Sequence, residues 1–148
     1  MKTKIIIAAL ALLFIAGDFL GGCEEEEEPK PDYITVNVSA SGEVHFDTAC
    51  LDWLEGLAVK IDIVKAGGER FTFDRVTDQF CRFEVPTVSF KLYREQPITA
   101  TAIVQGGIQG YEFLPAAETL NWVDVYPFKN FGETYAWETT MFIQCITN

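Results

Sequence analysis

Apolar and polar residues alternate with a period of two along most of the chain from residue 32 onward, and a helical period is nowhere sustained. Ile34, Val36 and Val38 alternate with Thr35, Asn37 and Ser39, the pattern of a strand with one buried and one wet face. Residues 39–43 read as a turn and Val44 with Phe46 opens a second strand, which predicts an N-terminal hairpin. The alternation returns in Leu57, Val59, Ile61 and Ile63, and Ala66-Gly67-Gly68-Glu69 turns the chain into Phe71-Thr72-Phe73. Cys81, Phe83 and Val85 share a face until Pro86, which has no amide proton to give a ladder. Val88, Phe90 and Leu92 come next, and Ile98, Ala100, Ala102 and Val104 run from Pro97 to the Gly106-Gly107 turn. Residues 120–125 and 135–146 complete the expected strands. Helical turns are expected only over 47–55 and at the 115–118 corner, each too short to change the class.

Roughly seven to nine short strands, spaced by turn chemistry, predict an all-β, immunoglobulin-like antiparallel β-sandwich over residues 32–148. Two segments carry a resemblance within it: Leu54-Glu55-Gly56-Leu57-Ala58-Val59-Lys60-Ile61 and Thr77-Asp78-Gln79-Phe80-Cys81-Arg82-Phe83-Glu84-Val85-Pro86. Together they resemble the middle of carboxypeptidase-regulatory-like or transthyretin-like sandwich domains. There, a Leu-x-Gly-Val run precedes the second strand and a Thr-Asp turn leads into an Arg-Phe strand ending at proline. Phe80-Cys81 stand where those families usually place a turn glycine. The resemblance implies a transthyretin-like sandwich serving as a spacer or binding module rather than a catalyst, since fold alone carries no activity.

The N-terminus is of a different kind. Lys2 and Lys4 precede an apolar run over residues 5–15, too short to span a bilayer, and Asp18 breaks the apolar character soon after it. Leu20-Gly21-Gly22-Cys23 resembles the lipobox of bacterial lipoproteins. That resemblance implies a leader over residues 1–22 and a Cys23 that begins the mature chain and carries a thioether-linked diacylglycerol. Two or more acyl chains hold a protein stably at a membrane. Glu24 to Glu28 and Pro29-Lys30-Pro31 form no core, so residues 23–31 read as the lipidated cysteine plus a solvated acidic tether. Acids directly after such a cysteine also resemble the surface-export signal of Bacteroidetes lipoproteins. The implied address is the bacterial cell envelope, at the outer membrane, facing the periplasm or the surface.

The chain of 148 residues carries 11 Lys+Arg against 22 Asp+Glu, a formal net charge of -11. Affinity for nucleic acid comes mainly from cations neutralising phosphates, so DNA and RNA are excluded as partners. The length suits one core and excludes a multidomain enzyme.

Beyond Cys23 the thiols are Cys50, Cys81 and Cys145, and export makes a disulfide the default. A pair involving loop residue Cys50 is expected, with Cys81 ahead of Cys145 as partner and the remaining cysteine a free buried thiol. His45 with the three thiols has the ligand types of a zinc centre, but no C-x2-C spacing exists, so no metal site is assigned. His45 and Asp47, two apart on one expected strand, are a thin acid-base pair best read as neighbours by alternation. Asp47 with Asp52, and Asp74 with Asp78, flank loops without matching a calcium motif. Without a nucleophile, phosphate-loop or metalloprotease motif, no catalytic residue, no enzyme activity and no cofactor is assigned.

Aromatic residues make up 14% of the chain, and most must serve packing. Tyr111, Trp122, Tyr126, Tyr135 and Trp137 crowd its last quarter with Gln109, Asn121, Asp124, Asn130 and Glu133 among them. Rings flanked by amides and carboxylates grip sugars by stacking and planar hydrogen bonds. Trp122, Tyr126, Tyr135 and Trp137 are therefore the candidate ligand-binding residues, presented near the loops over 106–120 and 127–135. The expected function is a lipid-anchored, non-catalytic envelope module binding a glycan or protein partner. The alternative is a structural or assembly accessory of an envelope complex. Exposure of Trp122 and Trp137 would favour binding; burial of both would favour the accessory.

Overall fold

The computed structural model describes residues 32–127 and 129–148. The expected leader, the lipid-bearing Cys23 and the acidic tether lie outside the described residues. Those described form an all-β sandwich of nine strands: β1 (Ile34–Phe46), β2 (Ala58–Lys65), β3 (Arg70–Val76), β4 (Arg82–Glu84), β5 (Val88–Leu92), β6 (Ile98–Val104), β7 (Tyr111–Leu114), β8 (Ala116–Leu120) and β9 (Thr134–Thr147). A 3-10 turn at Asp52–Leu54 and a four-residue helix, α1 (Trp122–Val125), are the helical elements among them.

One sheet runs β4-β1-β9-β7, with β5 sharing the β4 edge of β1, and the other runs β3-β2-β6-β8. Neighbours pair antiparallel except β1 and β9, which lie parallel from Thr35 opposite Thr134 to Phe46 opposite Cys145. A parallel pair needs a crossover, and here every other strand of the domain lies within it.

The alternation works as expected. Ile34, Val36 and Val38 meet Ile61, Ile63, Ile98, Leu92 and Ile143 in a continuous buried core, each such side chain contributing roughly 1.5–3 kcal/mol before its entropy cost. Phe71 of β3 meets Phe90 of β5 edge-on across the sandwich, ring centres 5.3 Å apart.

Four expectations on elements are corrected. The N-terminal hairpin does not form: residues 39–43 continue the strand, with Ala40, Gly42 and Val44 inward and the side chains between them outward. Its turn-like composition is instead a run of small residues under a bulky neighbour. A Cβ at Gly42 would run into the Phe83 ring and the Met141 carbonyl. Residues 120–125 are the end of β8 followed by α1, and the 115–118 corner is the start of β8. That strand lies at a sheet edge, where only Ala116 and Leu120 are buried, so its pattern resembles a helical one. Residues 111–114, expected as loop, form β7 on the edge of β9.

Cys81, Phe83 and Val85 are buried with Arg82 and Glu84 outward, as the alternation predicts, but Cys81 itself stands just before the strand. It has φ 59°, in the left-handed region that favours glycine, and β4 begins one residue later. The turn before it closes on Asp78, whose carboxylate accepts the N–H groups of Phe80 and Arg82 at 2.8 and 2.9 Å.

One end of the sandwich, the base, collects the start of β1, the start of β9, the β2–β3 turn, the 93–97 loop and the 121–133 segment. The other end, the tip, carries the 3-10 turn, the turn before β4 and the 105–110 loop.

Candidate functional site: an aromatic corner at the base

After β8 the chain turns at Asn121, whose backbone N–H donates to the Asp124 carboxylate at 2.9 Å while Asp124 N–H returns to the Asn121 carbonyl at 3.1 Å. This N-terminal closure starts α1 and sets its faces. Trp122 and Val125 turn toward the core, and Val123 and Tyr126 turn outward with 71% and 49% exposure. Backbone bonds from Tyr126 to Trp122 and from Lys129 to Val125 extend the turn.

Three rings meet there. Trp122 stacks on Tyr126 with centres 5.3 Å apart and planes 25° apart, and Phe131 lies 5.5 Å from Trp122 and 6.2 Å from Tyr126. The loop carrying Phe131 is tied to β1 by Gly132 N–H to the Tyr33 carbonyl and Thr35 N–H to the Glu133 carbonyl, both 3.0 Å. Within it, Glu133 accepts the Asn130 backbone N–H at 2.8 Å. That bond, with the Asn130 side chain and the charge of Lys129 assisting, holds the Glu133 carboxyl below the usual carboxylate range.

From the opposite side the 93–97 loop brings Arg94, whose guanidinium sits 6.0 Å from the centre of the Tyr126 ring. Beside it opens a groove of about 520 Å³ lined by Asp32, Tyr93, Arg94, Glu95, Gln96 and Phe131. Lys91 covers Tyr33 at 4.6 Å, and Lys65, paired with Glu69 at 2.9 Å, lies 5.3 Å from the centre of Tyr93. The groove thus offers the Tyr93 and Phe131 rings, two carboxylates, an amide and a guanidinium within one concave surface, with Tyr126 beside it across Arg94. Such a set can stack on an apolar sugar face and bond planar groups to its hydroxyls.

Of the residues singled out from sequence, Trp122 and Tyr126 come together here. Trp122 is the buried backing of the corner, 8% exposed, and Tyr126 is its open face. Tyr135 and Trp137 stand on the inner face of β9, opposite Val36 and Val38, and pack half-buried against the core. Sequence reasoning missed Phe131 and Arg94. Phe131 lay inside the loop already marked for contacts, whereas nothing local to Arg94 distinguished it.

A larger cleft of about 700 Å³ runs along β4, between Ser41, Glu43, Arg75, Asp78, Arg82 and Glu84 among others. Several of its charged groups are engaged within the chain. Arg82 bonds Glu43 at 2.9 Å, Arg75 donates to the Glu84 carbonyl at 3.0 Å, and Asp78 caps its own turn. Those bonds make much of the cleft a structural network.

The His45–Asp47 pair is not formed. β1 ends at Phe46, Asp47 enters a turn with φ 51°, and His45 instead bonds Glu43 at 2.7 Å beside the Phe142 ring. Cys50 and Cys81 form a disulfide, Cα atoms 5.7 Å apart, and Cys145 is a free buried thiol. Among the described residues, no three His, Cys, Asp or Glu side chains are grouped to hold a metal ion, Asp47 with Asp52 and Asp74 with Asp78 included. No protein-family model, no curated protein and no solved structure matches the chain.

Proposed function

We propose that the protein is a lipid-anchored, non-catalytic module of the bacterial cell envelope, held at the outer membrane through Cys23, that binds a glycan at the base of its sandwich. The observation carrying this reading is the Trp122–Tyr126–Phe131 corner, open at Tyr126 and flanked by Arg94, Glu95, Gln96 and Asp32. The lipobox-like Leu20-Gly21-Gly22-Cys23 and the acidic run after it supply the anchor and tether. A protein partner would use the same exposed rings.

The test is an oligosaccharide array probed with the full mature chain, followed by titration of the best binder against Tyr126→Ala. Binding that weakens by about 10–30-fold in the variant, at unchanged thermal midpoint, supports the reading, since truncating a central aromatic anchor costs roughly 2 kcal/mol. An array without binders, or a variant that binds as well as the parent, overturns it.

One observation favours a second reading, the accessory that braces an envelope complex: Trp122 is buried and Trp137 faces the core, leaving Tyr126 as the open ring of the expected four. Stable co-purification with one envelope protein, dependent on the base but indifferent to sugars, would decide for it.

A further inference from the structure

At the tip, residues 47–53 are fastened to the sandwich at few points. Phe46 and Ala49 exchange both backbone hydrogen bonds, Leu54 N–H donates to the Leu51 carbonyl and Glu55 N–H to the Asp52 carbonyl. Among the described residues, no backbone bond of 47–53 reaches beyond 46–55. The residues that follow are held firmly: the Thr77 hydroxyl donates to the Leu54 carbonyl and accepts the Leu57 N–H, and Gly56 N–H donates to the Thr77 carbonyl at 3.0 Å. Between that fixed hinge and the end of β1, the one covalent fastening is Cys50 to Cys81.

Backbone strain gathers around the same bridge. Asp47, Thr48 and Cys81, at φ 51°, 71° and 59°, are the non-glycine residues of positive φ among those described. Asp47 and Thr48 form the two-residue turn that Phe46 and Ala49 close, and a β-branched residue is poorly suited to the left-handed region there. Such conformations persist where surrounding structure holds them, and here the bridge ties the two loops that contain all three.

Trp53 is the ring this segment lays on the core. It lies 6.0 Å from Phe46 of β1 and 4.7 Å from Tyr111 of β7, and those two rings meet edge-on at 5.7 Å. β9 runs between their strands, with Cys145 opposite Phe46 on one side and Phe113 on the other. The three rings thus close the tip end of the row that holds the buried, free Cys145 thiol.

We propose that the Cys50–Cys81 bridge is a redox latch, and that residues 47–53 are a flap it holds shut over an apolar slot and Cys145. The two sulfurs differ in access, Cys50 being exposed and Cys81 buried, so a dithiol reductant attacks at Cys50. Its thiolate bonds to the Cys50 sulfur as the S–S bond breaks, and Cys81 leaves with the bonding pair and takes up a proton. The reductant's second thiol then displaces Cys50, which leaves as a thiol, and the reductant departs as a disulfide. With the latch open, the turn at Asp47 and Thr48 relaxes, the flap swings about 54–57, and Trp53 moves off Phe46 and Tyr111.

The test treats the full mature chain with a small dithiol, without denaturant, and reads alkylation at each cysteine by peptide mass spectrometry. Amide exchange is followed in parallel over residues 46–55 and, as the control, over 98–104. Reduction is expected to make Cys50 reactive, to speed alkylation of Cys145 and exchange over 46–55 by about tenfold or more, and to leave 98–104 unchanged. Cys50→Ser should give Cys145 the same faster rate with no reductant present. A Cys50 that stays unreactive under the dithiol overturns the proposal, as does a Cys145 that stays protected after reduction, since the bridge is then only a staple. Exchange that rises equally over 98–104 overturns it too, because reduction then unfolds the whole domain rather than a flap.

Discussion

Gly42 of β1 lies opposite Phe83 of β4, and the Phe83 ring occupies the space a side chain at residue 42 would fill. This contact lets β1 run on where its composition suggests a turn. Gly42→Ala forces the ring and the Met141 backbone apart, an overpacking that costs about 1–3 kcal/mol. Urea unfolding is expected to show a lower midpoint for Gly42→Ala, whereas Ser41→Ala, on the outer face one residue away, stays within about 0.5 kcal/mol of the parent.

The Cys50–Cys81 bridge ties the loop before the 3-10 turn to the turn before β4, across a separation of 31 residues. Closing a loop of that size in the unfolded chain contributes about 3–4 kcal/mol. Unfolding with and without reductant checks this. An unchanged midpoint on reduction would mean that the tip holds together without the bridge.

Cys145 is buried on the inner face of β9, and that burial pushes its thiol pKa up. In the folded, oxidised protein it is expected to resist alkylation at neutral pH and to react once denaturant is added. Alkylation of one thiol per chain before unfolding would contradict its placement.

Thr77 is buried, donates its hydroxyl to the Leu54 carbonyl at 2.5 Å and accepts the Leu57 N–H at 2.9 Å, closing the loop that leads into β2. Thr77→Val keeps the shape and leaves both backbone groups without that partner, at a cost of about 1–3 kcal/mol. The same urea series reads the loss.

Glu133 prefers its charged form in the folded loop because Asn130 donates to it. A lowered folded pKa means that its contribution is complete above the free-group value of 4.5 and disappears as pH falls through the folded value. Amide exchange over residues 129–134 is therefore expected to speed up under acid more than exchange in β6, and Glu133→Gln should flatten that dependence. Identical acid profiles for the parent and Glu133→Gln would rule the bond out as the cause.

Period-two alternation decided most of the fold from sequence alone. It made the chain all-β, marked β2, β3, β5, β6 and β9, and set which face of β2, β5 and β6 is buried, because every second side chain must point the same way. Loop position and the expected export were enough to place Cys50 with Cys81 ahead of the alternative. Crowding of aromatics and amides pointed to the segment that holds Trp122 and Tyr126. Tertiary structure decided what local pattern does not encode. Ser39 to Glu43 suits a turn or a strand of small residues, and Phe83, far along the chain, settles it by lying over Gly42. The parallel pairing of β1 with β9 joins residues about as far apart as this domain allows, so no short-range signal carries it. Trp137 and Tyr126 look alike in sequence, yet one lies on the inner face of a central strand and the other just after a short helix at the base. Exposure belongs to the assembled sandwich, and Arg94 joined Tyr126 only when two distant loops met at one end.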